Sequence, residues 1–75
     1  MVFEQTTPDG RSLVMAWLDE CGSWYANYED EGIVRHGDTA AEAIAAASGE
    51  PADTDWIASV GRQLELVLAL EQQAA

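Results

Sequence analysis

The sequence contains no lysine, and its 75 residues include only one cysteine, one histidine and three arginines. A single cysteine, Cys21, excludes an internal disulfide and a zinc site built from several thiolates at set spacings. The single histidine, His36, has no serine or cysteine partner in a recognisable catalytic motif. The sequence also lacks a phosphate-binding glycine loop and an EF-hand. We therefore expect a protein that is not an enzyme and that has no cofactor and no specific metal site.

Long apolar segments are also missing. The longest apolar run, residues 13–18, is too short to span a bilayer, and no basic segment followed by an apolar one marks a signal peptide. These features predict a soluble, cytoplasmic protein. The length of the chain fits one domain, residues 1–75, and a domain this short buries only about 60–65% of the surface that its unfolded chain exposes.

The net charge of −11 is the unusual property of the composition. It is unevenly distributed: residues 19–55 contain ten acids and one arginine, a net charge of −9, whereas each flanking segment carries only −1. Such a charge repels nucleic-acid phosphates and anionic membranes, so neither is expected as a direct partner. A basic protein is the favoured partner. A second interpretation stays open, since a high net charge also keeps any small protein in solution.

The first half of the chain has the pattern of an antiparallel β-meander. Strands are predicted at residues 2–7, 12–18, 24–28 and 33–36, with turns at 8–11, 20–23 and 29–32 that are rich in glycine and acidic residues. The second strand places apolar side chains on both sides, so both faces of the sheet are expected to be covered. In the third strand, Trp24, Ala26 and Tyr28 share the side that is expected to be buried.

The second half has the pattern of two helices. Thr39 and Glu42 match a capping box at the start of the alanine-rich segment 40–48, and Gly49 ends that helix. A second helix is predicted from Asp53 or Thr54 to Gln73. Its apolar stripe consists of Trp56, Ile57, Val60, Leu64, Val67 and Leu68. The predicted fold class is α+β: an antiparallel meander of three to four strands followed by two helices packed on one face.

Residues 24–47 contain the segment Gly32-Ile-Val-Arg-His-Gly-Asp-Thr-Ala-Ala-Glu-Ala-Ile44 and resemble the HicB family of antitoxin domains. The positions that match the family pattern are Tyr25, Gly32, Gly37, Asp38, Thr39, Glu42 and Ala43. The resemblance covers 24 of the 75 residues. It implies an antiparallel sheet with helices on one face, in a non-catalytic domain that neutralises an RNA-cleaving toxin by protein contact. Members usually carry a DNA-binding segment after this domain, and the last helix, with its single Arg62, does not match one.

These observations lead to three functional hypotheses. The first is an inhibitor that blocks a basic, nucleic-acid-handling protein such as a nuclease or a CRISPR effector subunit, in the manner of phage anti-defence proteins of the anti-CRISPR kind, with carboxylates in place of phosphates. The second is the HicB-like antitoxin, and the third is a structural accessory subunit that uses an exposed helix face. The expected partner-binding residues are Asp19, Glu20, Tyr25, Glu29, Asp30, Glu31, Glu50, Asp53 and Asp55. Leu66 and Leu70 lie outside the apolar stripe of the last helix, and we expect them to mediate self-association as a homodimer.

Overall fold

The computed structural model describes residues 1–49 and 53–74 and has an α+β architecture. The strands are β1 (Val2–Thr6), β2 (Ser12–Leu18), β3 (Ser23–Tyr28) and β4 (Arg35–Gly37), and they form one antiparallel sheet in the order β1-β2-β3-β4. Two helices follow, α1 (Ala40–Ser48) and α2 (Thr54–Ala74). The predicted meander followed by two helices is confirmed.

The core lies between one face of the sheet and the two helices. Its buried apolar side chains are Leu13, Met15, Trp24, Ala26, Tyr28, Ala40, Ala43, Ile44, Ile57, Val60 and Leu64. Every second residue of β3 contributes to this core, because successive side chains of a strand point to opposite faces. The predicted burial of Trp24, Ala26 and Tyr28 is confirmed.

The other face of the sheet is open, so the expectation that both faces are covered is wrong. Val14 and Ala16 are only half-buried on this face, and the Leu18 side chain is 44% exposed. The core residues of α1 and α2 all pack against the face that carries Trp24. An apolar residue on an open face is common in small proteins, so the alternation in β2 did not decide which face is buried.

One strand boundary and one burial prediction also differ from the structure. The fourth strand was expected to begin at Ile33, but pairing with β3 begins at Arg35, opposite Ala26. Ile33 and Val34 lie in the preceding loop, where they are 53% and 58% exposed. The apolar stripe of α2 predicts burial of Val67, which is instead 41% exposed, because it lies at the margin of the helix face that contacts the core.

The junction between β4 and α1 is tightly packed. A Cβ atom on Gly37 would lie 2.7 Å from both the backbone nitrogen of Ala43 and the Cβ of Glu42. Thr39 is the N-cap residue, as predicted, and its Oγ1 accepts a hydrogen bond of 3.1 Å from the Glu42 backbone N–H. The Glu42 carboxylate accepts a bond of 3.0 Å from the N–H of Asp38, one residue before the partner that a standard capping box uses. Both helix-start interactions therefore hold α1 against the end of β4.

Replacing Thr39 by alanine should lower the free energy of unfolding by about 1 kcal/mol, because the Glu42 N–H loses its acceptor. For a domain of this size the melting temperature should fall by about 4–8 °C. Thermal denaturation followed by circular dichroism measures the shift. Thr39→Ser retains the hydroxyl and should melt close to the wild type. Equal melting of the alanine variant and the wild type would contradict the capping role.

The contact between the two helices depends on a second close approach. Gly61 is buried in α2, and a Cβ atom there would lie 2.9 Å from the Cβ and the backbone nitrogen of Ala41 in α1. Small residues on both helices thus allow the backbones to approach closely. This contact fixes the rotation of α2 about its own axis and turns Leu66 and Leu70 toward the solvent.

Candidate interaction surface

In a meander, successive connections between strands lie at alternate ends of the sheet. The β1–β2 turn and the β3–β4 loop lie at one end, and the β2–β3 turn lies at the other, because each strand reverses the chain direction. The start of α2 lies at the first end, where Asp53 and Trp56 line a cleft together with Arg11. We refer to this end as the Arg11 end and to the opposite one as the Trp17 end.

Six exposed carboxylates lie at the Arg11 end. They come from three separate segments, namely the β1–β2 turn, the β3–β4 loop and the start of α2, and they are Asp9, Glu29, Asp30, Glu31, Asp53 and Asp55. Arg11 lies in the first of these segments, the β1–β2 turn. This end of the sheet is therefore strongly negative, and its charge is spread over segments that are far apart in the sequence.

Arg11 organises part of this surface. Its Nη2 donates hydrogen bonds to Asp30 Oδ1 at 2.9 Å and to Glu31 Oε1 at 2.8 Å, and its guanidinium lies over the Tyr28 ring, 3.8 Å from the centroid. The hydrogen bond from Arg11 holds the pKa of Asp30 below its ordinary value. The stabilisation from this pair is therefore complete above the ordinary carboxyl range and is lost as the pH falls through the lowered pKa.

A cleft of about 250 Å³ opens beside Arg11 at this end of the sheet. Beside it, the Tyr28 hydroxyl and Ser48 Oγ are hydrogen-bonded at 2.7 Å, and Asp53 Oδ1 accepts a bond of 3.0 Å from the Trp56 backbone N–H. The indole of Trp56 and the carboxylates of Asp9 and Asp53 line the cleft. Aromatic faces next to carboxylates suit the guanidinium or ammonium group of a partner's side chain.

The Trp17 end carries a smaller set of acidic residues. Asp19 and Glu20 are exposed in the β2–β3 turn, and the indole N–H of Trp17 donates a hydrogen bond to the Asp19 carboxylate. Tyr25 is half-buried on the open face, with its ring centroid 6.0 Å from that of His36. Cys21 lies in the β2–β3 turn, and the interaction of its thiol with the Tyr25 hydroxyl raises the pKa of Tyr25.

The residues expected to bind a partner thus fall into two groups. Those at the Arg11 end are Glu29, Asp30, Glu31, Asp53 and Asp55, and those at the Trp17 end are Asp19, Glu20 and Tyr25. The five residues of β3 after Ser23 separate the ends by about 17 Å, so the structure does not bring the two groups together. Glu50 lies outside the described residues.

Sequence reasoning missed Asp9 and Arg11 as members of the candidate surface. Residues 8–11 were interpreted only as a turn, although alternate turns of a meander lie at the same end of the sheet. If this rule is applied to the predicted meander, it places residues 8–11 at the same end of the sheet as residues 29–32. The cleft beside Trp56 had no comparable indication in the sequence, because it depends on where the start of α2 lies.

None of the helices in residues 1–49 and 53–74 is both long enough and apolar enough to cross a membrane. Within those two ranges, no three histidine, cysteine or acidic side chains are placed to hold a metal ion. No protein-family model matches the chain, and no curated protein or solved structure matches it either.

Proposed function

We propose that this protein is a non-catalytic cytoplasmic inhibitor that binds a basic, nucleic-acid-handling protein through the Arg11 end. The observation that carries the proposal is that six exposed carboxylates from three separate segments lie at one end of the sheet, where Arg11 engages two of them. The partner is a protein whose own basic surface binds phosphates, such as a nuclease or a CRISPR effector subunit. The biological setting that fits is phage anti-defence, of the anti-CRISPR kind.

The physical basis is competition for cationic side chains. Lysine and arginine residues that bind nucleic-acid phosphates also form charge-assisted hydrogen bonds with carboxylates. The bonds from Arg11 to Asp30 and Glu31 hold the β3–β4 loop before a partner arrives, which lowers the entropic cost of binding. The net charge of −11 attracts a basic partner from a distance. The chain thereby occupies the site at which the partner binds nucleic-acid phosphates.

The HicB-like antitoxin is the alternative, and the segment around Gly37, Thr39 and Glu42 favours it. These three residues also have direct structural roles at the junction of β4 and α1. Because the junction itself requires them, their presence distinguishes poorly between an antitoxin and any other protein with this junction. Part of the acidic surface also has structural roles, since Arg11 engages Asp30 and Glu31 and the Trp56 N–H engages Asp53. The six carboxylates nevertheless come from three segments that share one end of the sheet, and for this reason we place the inhibitor first.

The test begins with capture from a lysate of the host cell at low salt, using the immobilised chain, and with identification of the bound protein. The captured protein is then purified, and its binding to nucleic acid is measured by fluorescence anisotropy with increasing amounts of the chain. We expect a basic partner whose nucleic acid is displaced in proportion to the chain added. A partner that binds the chain and its nucleic acid simultaneously would overturn the proposal. Capture of a toxin whose RNA cleavage stops would instead establish the antitoxin.

A further inference from the structure

The outward face of α2 differs in chemistry from the rest of this acidic protein. At 100° per residue, the side chains within 60° of Leu66 are Asp55, Ser59, Arg62, Gln63, Ala69, Leu70 and Gln73. From Ser59 to Gln73, a length of about 21 Å, this face contains no carboxylate and one arginine. The net charge of the chain is −11, so a face that has no carboxylate and one arginine is unusual in it. Such a face does not suit a basic partner.

Two leucines dominate this outward face. Leu66 is 61% exposed and Leu70 is 56% exposed, and they lie one helical turn apart. The nearby acids of α2 are directed elsewhere: Glu65 Oε1 accepts a hydrogen bond of 3.2 Å from the Ala40 N–H, and Glu71 lines a depression together with Trp17 and Met1. The leucine pair is therefore bordered by uncharged side chains and by Arg62.

We propose that a second copy of the chain covers this face, with the two α2 helices packed antiparallel about a two-fold axis near residue 68. Leu66 of each copy then lies against Leu70 of the other copy. Arg62, about 9 Å from the axis along the helix, lies beside the last turn of the other helix. The carbonyl groups of that turn carry a partial negative charge, and no basic residue of the turn offsets it.

The local charge of this face favours a second copy over a basic protein, although the net charges of two copies repel each other. A basic partner gains nothing from a face without carboxylates and is repelled by Arg62, whereas a second copy gains a favourable contact from the same arginine. A single helix face is smaller than the roughly 800 Å² per partner of a standard interface. We therefore expect a dissociation constant in the range of about 10–100 µM.

Sedimentation equilibrium tests the dimer at about 0.1 M and about 0.5 M salt, with the chain at up to about 200 µM. The dimer should be tighter at the higher salt concentration, because screening reduces the repulsion between two chains of charge −11. Leu66→Gln combined with Leu70→Gln should weaken it at least about a hundredfold while the circular dichroism spectrum stays unchanged. Ala45→Gln with Ala46→Gln, at exposed positions of α1, is the matched control and should leave the dimer intact.

Three results would overturn the inference. One is a wild type that stays monomeric at the highest concentration and at both salt concentrations. Another is a dimer that the leucine variant does not weaken, which would place the contact on another surface such as the open face of the sheet. The third is a captured partner that the wild type binds and the leucine variant loses, which would assign the face to that partner. The dimer is independent of the proposed function, since the leucine pair lies outside the Arg11 end.

Discussion

Neutralising three acids at the Arg11 end, with Glu29→Gln, Asp53→Asn and Asp55→Asn, should weaken binding of the basic partner by about a hundredfold or more. None of the three is among the carboxylates that Arg11 already engages, so all are available to a partner's cations. Each of these charge pairs would be desolvated in the interface, where its loss costs more than the roughly 1 kcal/mol that is the upper limit for an exposed pair. Three such losses together exceed a factor of about one hundred. The amide that replaces the Asp53 carboxylate retains an oxygen for the Trp56 N–H, so the start of α2 should stay capped.

A second triple variant controls for total charge. Glu4→Gln, Asp19→Asn and Glu20→Gln also change the net charge from −11 to −8, but these residues lie on β1 and at the Trp17 end. Isothermal titration calorimetry at about 0.1 M and about 0.5 M salt measures both variants, and thermal melting checks that both are folded. The control should keep most of the affinity. If both variants weaken binding equally, the partner responds to the overall negative charge of the chain, and the Arg11 end is not its binding surface.

Replacing Gly37 by alanine should lower the free energy of unfolding by at least about 2 kcal/mol and the melting temperature by at least about 10 °C. The added Cβ would lie 2.7 Å from the Ala43 backbone nitrogen and from the Glu42 Cβ. The contacted backbone belongs to the first turn of α1, so the clash cannot be relieved by rotation of a side chain. Relief requires β4 to move away from Trp24 on β3 or α1 to move away from its cap.

The neighbouring residue provides the control for Gly37. His36 lies in the same strand but is exposed, and His36→Ala should change the free energy of unfolding by less than about 0.5 kcal/mol. Chemical denaturation of both variants, compared with the wild type, measures the difference. Equal denaturation midpoints for the Gly37→Ala and His36→Ala variants would show that β4 and α1 are not held in close contact.

The sequence by itself determined the elements that depend on local interactions. Turn residues at regular intervals and a two-residue period predicted the meander, because strand alternation is a property of the backbone alone. Thr39 and Glu42 located the start of α1 since a helix cap involves residues only three positions apart. The 100° rotation per residue also placed Leu66 and Leu70 outside the buried stripe, as their exposure confirms.

Tertiary structure alone decided which surfaces the elements share. β2 carries apolar residues on both sides, so burial of one face was settled only when α1 and α2 packed against Trp24. The predicted meander already places Arg11 at the same end of the sheet as Asp30 and Glu31, but the hydrogen bonds of Arg11 to both carboxylates, 19 and 20 residues away, were decided by the packed structure. Such contacts depend on strand register and on the directions in which the helices run. These are properties of the packed chain, and no local pattern of residues encodes them.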